Sequence, residues 1–123
     1  MRILIADDNA DAGDSLAMIL NLEGHEVFVA RNGLEALEIA DRMTFRLIFL
    51  DLGMPELNGL EACKIIRTRP WAVNTLVVAV TGWGTAQDKE RTKAAGFDYH
   101  FAKPIEPDSV RAILAKVQPG NDC

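Results

Sequence analysis

The sequence predicts an α/β domain in which five strands alternate with five helices and form an open, doubly wound parallel sheet. Apolar runs of strand length recur along the chain, and a helical pattern follows each of them. Three of the runs are apolar without alternation, as expected for strands that helices cover on both faces. Strict βα alternation implies right-handed crossovers, and the ligands of such sheets lie outside the carboxyl ends of the strands.

The five predicted strands differ in polarity, and this difference indicates their places in the sheet. Residues 3–6, 47–50 and 76–80 are uninterrupted apolar segments, which predicts the three central strands. Residues 27–30 follow a polar start, and residues 97–101 mix polar and aromatic side chains. Polar side chains suit the edges of a sheet, so these two strands are predicted to lie there.

The helix boundaries are predicted from capping residues. Asparagine or threonine, whose side chains accept a backbone N–H, precedes four of the predicted helices. Glutamate follows two of the asparagines at the spacing of a capping box, and glycine stands after two helices, where a left-handed C-cap is common. The predicted N-caps are Asn9, Asn32, Asn58 and Thr85, the capping boxes are Asn32 with Glu35 and Asn58 with Glu61, and the C-caps are Gly24 and Gly96.

The helical pattern at residues 85–95 is more polar than the others. Its apolar residues are alanines, which alternate with charged and amide side chains. This composition predicts a helix that is weakly anchored to the sheet, largely exposed to water, and more easily moved than its neighbours. His25, at the start of a predicted edge strand, is likewise expected to be solvated.

Length and charge indicate one domain over residues 1–123, ending in a polar tail at residues 118–123. Thirteen basic against 18 acidic residues leave a net charge of −5, so the chain lacks the basic face that nucleic-acid binding requires. No apolar run approaches the roughly 20 residues of a membrane-spanning helix. Cys63 and Cys123 form no disulfide framework, and with no signal peptide in evidence we expect a cytoplasmic protein.

Five polar residues follow the predicted strands, at the edge where the carboxyl ends of the strands meet. Asp7 and Asp8 follow the first strand, Asp51 the third, Thr81 the fourth and Lys103 the fifth. In a flavodoxin-like (βα)5 order of 2-1-3-4-5 the first and third strands are neighbours, which brings the three carboxylates into one pocket. Clustered carboxylates repel one another unless they bind protons or a cation, and an all-oxygen ligand set favours Mg²⁺.

The other two residues of this set predict phosphoryl-transfer chemistry. Lys103 supplies a fixed positive charge and Thr81 a hydroxyl donor, and both suit the equatorial oxygens of a transferring phosphoryl group. A carboxylate can itself be the nucleophile, and Asp51 is the best placed because it ends the most central strand. The predicted product is an aspartyl phosphate on Asp51.

Four segments of the chain together resemble the receiver domain of bacterial two-component response regulators. Several motifs that occur in the right order on the right elements are far more specific than one short pattern, and here they span nearly the whole chain. Residues 80–84 and 95–100 are most similar to receivers of hybrid sensor kinases. The four segments are Asp7-Asp8, Asp51-Leu52-Gly53-Met54-Pro55 with Gly59, Thr81-Gly82, and Lys103-Pro104.

The resemblance implies a phosphorylation-dependent signalling switch and not a metabolic enzyme. Asp51 would accept a phosphoryl group from the phosphohistidine of a sensor histidine kinase or a histidine phosphotransfer domain, and the chain would catalyse its own phosphorylation and slow dephosphorylation. The implied magnesium site consists of Asp8, Asp51 and the Gly53 carbonyl, with Asp7 bound through water. The implied phosphoryl contacts are Thr81, the Gly82 N–H and Lys103, and the peptide bond between Lys103 and Pro104 is expected to be cis.

The resemblance also implies an output surface. Thr81 would move toward the phosphate and a ring of the fifth strand would turn inward, which alters the face made by the fourth helix, fifth strand and fifth helix. Residues 85–117 would then contact a downstream protein, and this face is also where a homodimer would form. Neither a nucleic acid nor a membrane is an expected partner.

Two features depart from the family pattern. The switch ring, usually Tyr or Phe three residues before the lysine, is His100 in this chain, which ionises near neutral pH and can form hydrogen bonds through either nitrogen. In the family, the positions of Gly53 and Trp83 flank the path of hydrolytic water. Glycine opens this path and tryptophan covers it, so the two residues act in opposite directions on the lifetime of the phosphate.

Three other functions use similar residues. A small Mg²⁺-dependent phosphatase with an aspartate nucleophile would need a second acid two residues after Asp51, where Gly53 stands. A flavin carrier would need a loop rich in Ser, Thr and Gly after the first strand, whereas Asp7-Asp8-Asn9 would repel a phosphate. A phosphorylation-independent scaffold would keep the same pocket and is separated from the switch only by a phosphorylation test.

Overall fold

A computed structural model of the chain describes residues 1–54, 56–82, 86–103 and 105–117, with the side chains of residues 86–88 left aside. The predicted Thr85 cap, Trp83, the peptide bond between Lys103 and Pro104, and the tail at residues 118–123 lie outside the described residues. Within the described ranges no helix combines the length and the apolar character that crossing a bilayer would require.

Five parallel strands alternate with five α-helices, as the sequence predicts. The strand order is β2-β1-β3-β4-β5, so the two polar strands are at the edges and the three apolar ones are central. A short 3₁₀ helix before β4 was not predicted. The elements are β1 Arg2–Ala6, α1 Ala10–Leu22, β2 Glu26–Ala30, α2 Gly33–Arg42, β3 Leu47–Asp51, α3 Gly59–Ile66, the 3₁₀ helix Pro70–Asn74, β4 Leu76–Thr81, α4 Ala86–Ala95, β5 Tyr99–Ala102 and α5 Pro107–Lys116.

The core consists of two layers, one on each face of the sheet. Successive side chains of a strand point to opposite faces. Along β3, Ile48 and Leu50 pack in the layer with residues of α2 and α3, whereas Leu47 and Phe49 pack in the layer with residues of α1 and α5. Both layers include fully buried aliphatic side chains, which explains why the central strands are apolar without alternation.

Most predicted caps are confirmed. Asn9 and Asn58 accept backbone N–H groups at 3.1 and 2.9 Å, and Glu61 completes the capping box of α3. The box predicted at Asn32 is wrong in one half, because the Glu35 carboxylate accepts from the backbone N–H of Arg31 instead of that of Asn32. Gly24 and Gly96 have φ of 90° and 105°, the left-handed conformation in which glycine avoids the strain of a side chain.

Two local expectations need correction. The last strand begins at Tyr99, two residues later than predicted, because the N–H of Phe97 donates to the Thr92 carbonyl and so closes the end of α4. His25 is half-buried, and its Nδ1 lies 3.2 Å from the terminal amine of Met1. Burial lowers the pKa of His25, and the neighbouring amine acts in the same direction.

Arg67, at the end of α3, joins several elements at the amino ends of the strands. Its guanidinium donates to the carbonyls of Gly96, Ala72 and Thr75 at 2.8 to 3.2 Å, and to the Asp98 carboxylate at 2.6 Å. The same carboxylate accepts from the backbone N–H of Val77 at 2.8 Å. This connection attaches the carboxyl end of α4 to α3 and β4, so α4 is anchored at that end more firmly than its composition predicts.

We expect Arg67→Met to lower the free energy of unfolding by roughly 2–4 kcal/mol, because several partly buried acceptors lose a charged donor together. Urea unfolding measures the effect. Arg2→Met is the matched control, since Arg2 forms an exposed ion pair with Glu26 whose loss costs less than about 1 kcal/mol. Equal losses in the two variants would contradict the role assigned to Arg67.

Candidate functional site

The sheet order brings three acidic residues together, as the sequence predicts. Asp51 ends β3, Asp7 follows the adjacent β1, and the backbone N–H of Asp7 donates to Ala30 of β2 at 3.0 Å. Carboxylate oxygens of Asp7, Asp8 and Asp51 all lie within 4.8 Å of one another. Asp7 and Asp51 are buried and Asp8 is exposed, so the cluster opens to solvent on the side of Asp8.

Lys103 lies between the two buried carboxylates. Its Nζ is 2.9 Å from Asp7 Oδ2 and 3.0 Å from Asp51 Oδ2. The backbone N–H of Lys103 donates to the Thr81 carbonyl at 2.7 Å, so pairing of β5 with β4 positions the ammonium group. One cation therefore bridges the ends of β1 and β3 from a residue that is distant in sequence.

Backbone N–H groups orient the same two carboxylates. Asp7 Oδ1 accepts from the N–H of Asn9 at 2.9 Å, and Asp51 Oδ1 accepts from the N–H of Gly53 at 3.1 Å. In both residues the other oxygen, Oδ2, contacts Lys103. Each buried carboxylate thus has a donor on both oxygens, which holds its plane in a fixed orientation.

The electrostatics of the pocket show an excess of negative charge. Burial raises the pKa of Asp7, and the neighbouring Asp51 adds to the increase, while hydrogen bonds from Lys103 and Asn9 oppose it. Burial by itself would lower the pKa of Lys103, but its contacts with Asp7 and Asp51 raise it instead. Counted as ionised, the three carboxylates and the ammonium group carry a formal charge of −2, and the described side chains that line the pocket include no cation besides Lys103.

The residues present fit a magnesium ion. Every candidate donor in the cluster is an oxygen, and the carboxylates are close enough to share one ion while Asp8 leaves the site open to water. Mg²⁺ prefers this kind of site, with few carboxylates and several retained waters. A divalent cation would also offset the excess negative charge of the pocket.

Gly59 allows α3 to begin close to the site. A Cβ at this position would lie 2.5 Å from the carbonyl oxygen of Asp51, so any side chain would displace the end of β3. Gly33 has a similar role that the sequence did not indicate, since its Cβ would lie 2.2 Å from the Leu57 carbonyl. Two glycines therefore set the path of the loop that follows Asp51.

Thr81, Gly82 and His100 complete the predicted set. Thr81 is buried at the end of β4, the strand beside β3, and Gly82 follows it at an exposed position. His100 lies on β5 and contacts the Thr92 hydroxyl of α4. The structure thus collects Thr81, Gly82 and Lys103 at the strand ends with the acids, and directs His100 toward α4.

A cavity of about 480 Å³ adjoins the carboxylates, and sequence reasoning did not find it. Its lining combines Asp7, Asp51 and Lys103 with apolar side chains of α1 and the strands, among them Leu16 and Ile19. The small residues Ala12 and Ser15 on this face of α1 are a weak sequence signal for such a space. The buried carboxylates are therefore accessible along α1.

The sheet order and the pocket together are those of a signalling receiver domain, and the comparisons agree. The family model described as the response regulator receiver domain matches residues 3–115, and the chain belongs to this family. Receiver domains are phosphoacceptors of two-component signalling. They take phosphate from histidine kinases or histidine phosphotransfer domains, and bind Mg²⁺ at an acidic pocket. The resemblance stated from the sequence is confirmed.

Two curated relatives illustrate the contexts in which similar chains occur. The signal transduction histidine-protein kinase BarA of Escherichia coli is 33% identical over 121 residues, which cover 98% of this chain and 13% of the kinase. Sporulation initiation phosphotransferase F of Bacillus subtilis is 34% identical over 118 residues, covering 96% of this chain and 94% of that protein. The chain thus spans about an eighth of the first relative and nearly all of the second.

Solved structures confirm the fold. The chemotaxis protein CheY4 of Vibrio cholerae superposes with a TM-score of 0.88 at 28% identity, and the match covers 94% of this chain and 97% of that one. A CheY-like receiver domain from Methanospirillum hungatei gives a TM-score of 0.86 at 30% identity, with coverage of 98% and 96%.

We expect Asp7→Asn to raise the melting temperature at pH 7. The folded state raises the pKa of Asp7, so the folded protein holds this proton more tightly than the unfolded chain does. As the pH rises, the folded protein therefore loses stability from the ordinary pKa near 3.8 onward, and the loss is complete above the folded pKa. Calorimetry at pH 7 and below pH 3.8 measures the effect, which should vanish at the lower pH. Asp14→Asn, at an exposed position of α1, is the control and should change little. A lower melting temperature for Asp7→Asn at pH 7 would contradict the assignment.

Proposed function

We propose that this chain is a phosphorylation-dependent switch in which Asp51 accepts a phosphoryl group from the phosphohistidine of a sensor histidine kinase or of a histidine phosphotransfer domain. The observation that carries the proposal is the position of the Asp51 carboxylate, at the end of the central strand and 3.0 Å from Lys103 Nζ. Membership of the receiver family supports the class of reaction.

Topology favours Asp51 over the other two acids as the acceptor. β3 lies between β1 and β4, so Asp51 has Asp7 on one side and Thr81 on the other. A phosphoryl group on Asp51 would have the acidic cluster on one flank and the Thr81 hydroxyl with the Gly82 N–H on the other. Asp7, after β1, has Asp51 on the side of β3, but none of the predicted phosphoryl-binding residues follows β2 on its other side.

Asp7, Asp8, Asp51 and the Gly53 carbonyl would hold the Mg²⁺, with Asp7 acting through water. The bound ion would supply positive charge to the phosphoryl oxygens and reduce the repulsion between phosphate and carboxylates. The N–H of Gly53 donates to Asp51 Oδ1, which keeps the loop after β3 folded against the carboxylate. That contact brings residue 53 to the site, where its carbonyl can serve as a ligand.

The transfer uses the side chains that the strand ends bring together. An Asp51 oxygen attacks phosphorus, a P–O bond forms as the P–N bond of the phosphohistidine breaks, and the electron pair returns to the imidazole nitrogen. Lys103 then pairs with the developing phosphate, and Thr81 and the Gly82 N–H donate to its remaining oxygens. The cavity along α1 supports the access that a phosphohistidine donor needs.

Dephosphorylation belongs to the same proposal. Water attacks the acyl phosphate, so the chain removes its own phosphate slowly without being an enzyme that turns over a free substrate. Gly53 has no side chain to cover Asp51. A Cβ at this position would lie 3.9 Å from Asp51 Oδ1, its nearest described neighbour, so the carboxylate is open on the side of Gly53. The openness supports access of water from the loop that follows β3.

The output surface is the face formed by α4, β5 and α5. Exposed charges on α4 belong to it, including Lys89, Arg91 and Lys93, and Lys116 of α5 lies over the Tyr99 ring at 5.8 Å. Lys103 and Thr81 join this face to the site through β5 and β4. A downstream protein or a second copy of the chain would bind here.

Incubation with a small phosphoramidate donor tests the proposal. We expect one added phosphoryl group in the intact-protein mass when Mg²⁺ is present, and none with a chelator or in Asp51→Asn, because both the acceptor and the cation are needed. Asp14→Asn is the matched control and should be phosphorylated like the wild type.

Three results would contradict this function. An adduct that persists in Asp51→Asn would place the acceptor elsewhere. No adduct on the wild type, with Mg²⁺ bound and no binding of the phosphoryl mimic beryllium fluoride, would favour a phosphorylation-independent scaffold. Turnover of a phosphomonoester would indicate a phosphatase.

A further inference from the structure

Two buried side chains hold the carboxyl half of α4 to the rest of the protein. Of the α4 side chains that the structure describes, Thr92 and Ala95 are buried, with exposures of 2% and 4%. The others in residues 89–95 are exposed. A hydroxyl group is thus placed where a helix on a parallel sheet usually has an aliphatic side chain, so its hydrogen bonds decide how this part of α4 is held.

The Thr92 hydroxyl has two partners. Its Oγ1 donates to the carbonyl of Lys89, one turn earlier in α4, at 2.9 Å, and it lies 3.2 Å from Nδ1 of His100. A hydroxyl carries one hydrogen. With that hydrogen directed to Lys89, the contact with His100 is explained by a bond that the imidazole donates, which requires a proton on Nδ1.

The other nitrogen of the ring is consistent with this tautomer. His100 Nε2 is buried and has no hydrogen-bond partner in the part of the chain that the structure describes. A proton there would be a buried donor without an acceptor, in addition to the lost bond to Thr92. Among the described residues, both contacts favour the tautomer in which the ring donates from Nδ1 and Nε2 carries no proton.

His100 faces the same side of the sheet as Thr81. In β4, Val78 and Val80 pack in the layer with α1 and α5, as do Tyr99 and Phe101 in β5. The intervening residues point to the opposite side, and the register pairs Ala79 with His100 and Thr81 with Ala102. The imidazole thus lies on the same face as Thr81, two residues before Ala102, the partner of Thr81 on β5. This position is between the phosphoryl site and α4.

We propose that Thr92 is a positioning residue that ties the His100 ring to α4. The Nδ1–H of His100 donates to the Thr92 hydroxyl, so the ring and the helix move together when the site is occupied. This coupling rests on the proposed function, since it is the phosphoryl group that makes the ring reorient. An aromatic ring without a donor at position 100 would lack this connection.

The first test is the tautomer of His100. In protein with ¹⁵N-labelled histidine, we expect the neutral ring of His100 to carry its proton on Nδ1, and Thr92→Val to remove this preference. Thr92→Ser keeps the hydroxyl and should restore it. A proton on Nε2 in the wild type would overturn the proposal, and this result does not depend on phosphorylation.

The second test follows amide hydrogen exchange of residues 89–95 with and without Mg²⁺ and beryllium fluoride. We expect Thr92→Val to speed exchange roughly fivefold without the mimic, the factor that about 1 kcal/mol gives. Binding of the mimic should change exchange in the wild type and in Thr92→Ser, and change it much less in Thr92→Val. His100→Phe keeps a ring but loses the donor, so it should behave like Thr92→Val. It replaces Thr92→Val in this test if Thr92→Val does not fold.

Failure of the coupling and failure of the proposed function give different results. If the mimic binds the wild type and Thr92→Val, and α4 responds equally in both, the coupling is wrong and the phosphoacceptor function stands. If the mimic and the phosphodonor both fail with the wild type, the proposed function is wrong and the coupling falls with it.

Discussion

Three carboxylates lie beside one ammonium group at the ends of adjacent strands, and the packing of the sheet must hold these charges together. Ionised acids at the ends of adjacent strands repel one another, and two of them are also removed from water. Burial of the apolar strands β1 and β3 between two layers of helices keeps them together, while Lys103 and two backbone N–H groups offset part of the cost. The remaining excess of negative charge is of the kind that a divalent cation would offset.

Polar contacts also decide how α4 is attached to the rest of the protein. Residues 85–95 lack the apolar stripe that fastens the other helices to the sheet, and their composition predicts a loosely held helix. The structure shows instead that Arg67 joins the end of α4 to α3 and β4, and that Thr92 contacts His100.

The relatives place this arrangement in two contexts. One is a large histidine kinase of which the matched region is a small part, and the other is a phosphotransferase of about the same length as this chain. The pocket at the strand ends accounts for the chemistry that such proteins share. This chain departs from the aromatic pattern of the family at His100, the residue of β5 that contacts α4.

Local signals in the sequence were enough to predict the fold and to predict that most of the candidate site residues meet at one edge of the sheet. Uninterrupted apolar strands, capping asparagines and acids at strand ends are local signals, and each follows from the chemistry of neighbouring residues. Tertiary structure decided what depends on residues far apart in the chain: the bridging position of Lys103, the close approach that requires Gly33, the cavity along α1, and the contacts of Arg67 and Thr92. These contacts join side chains whose meeting is set by how helices pack on the twisted sheet, which no local pattern encodes.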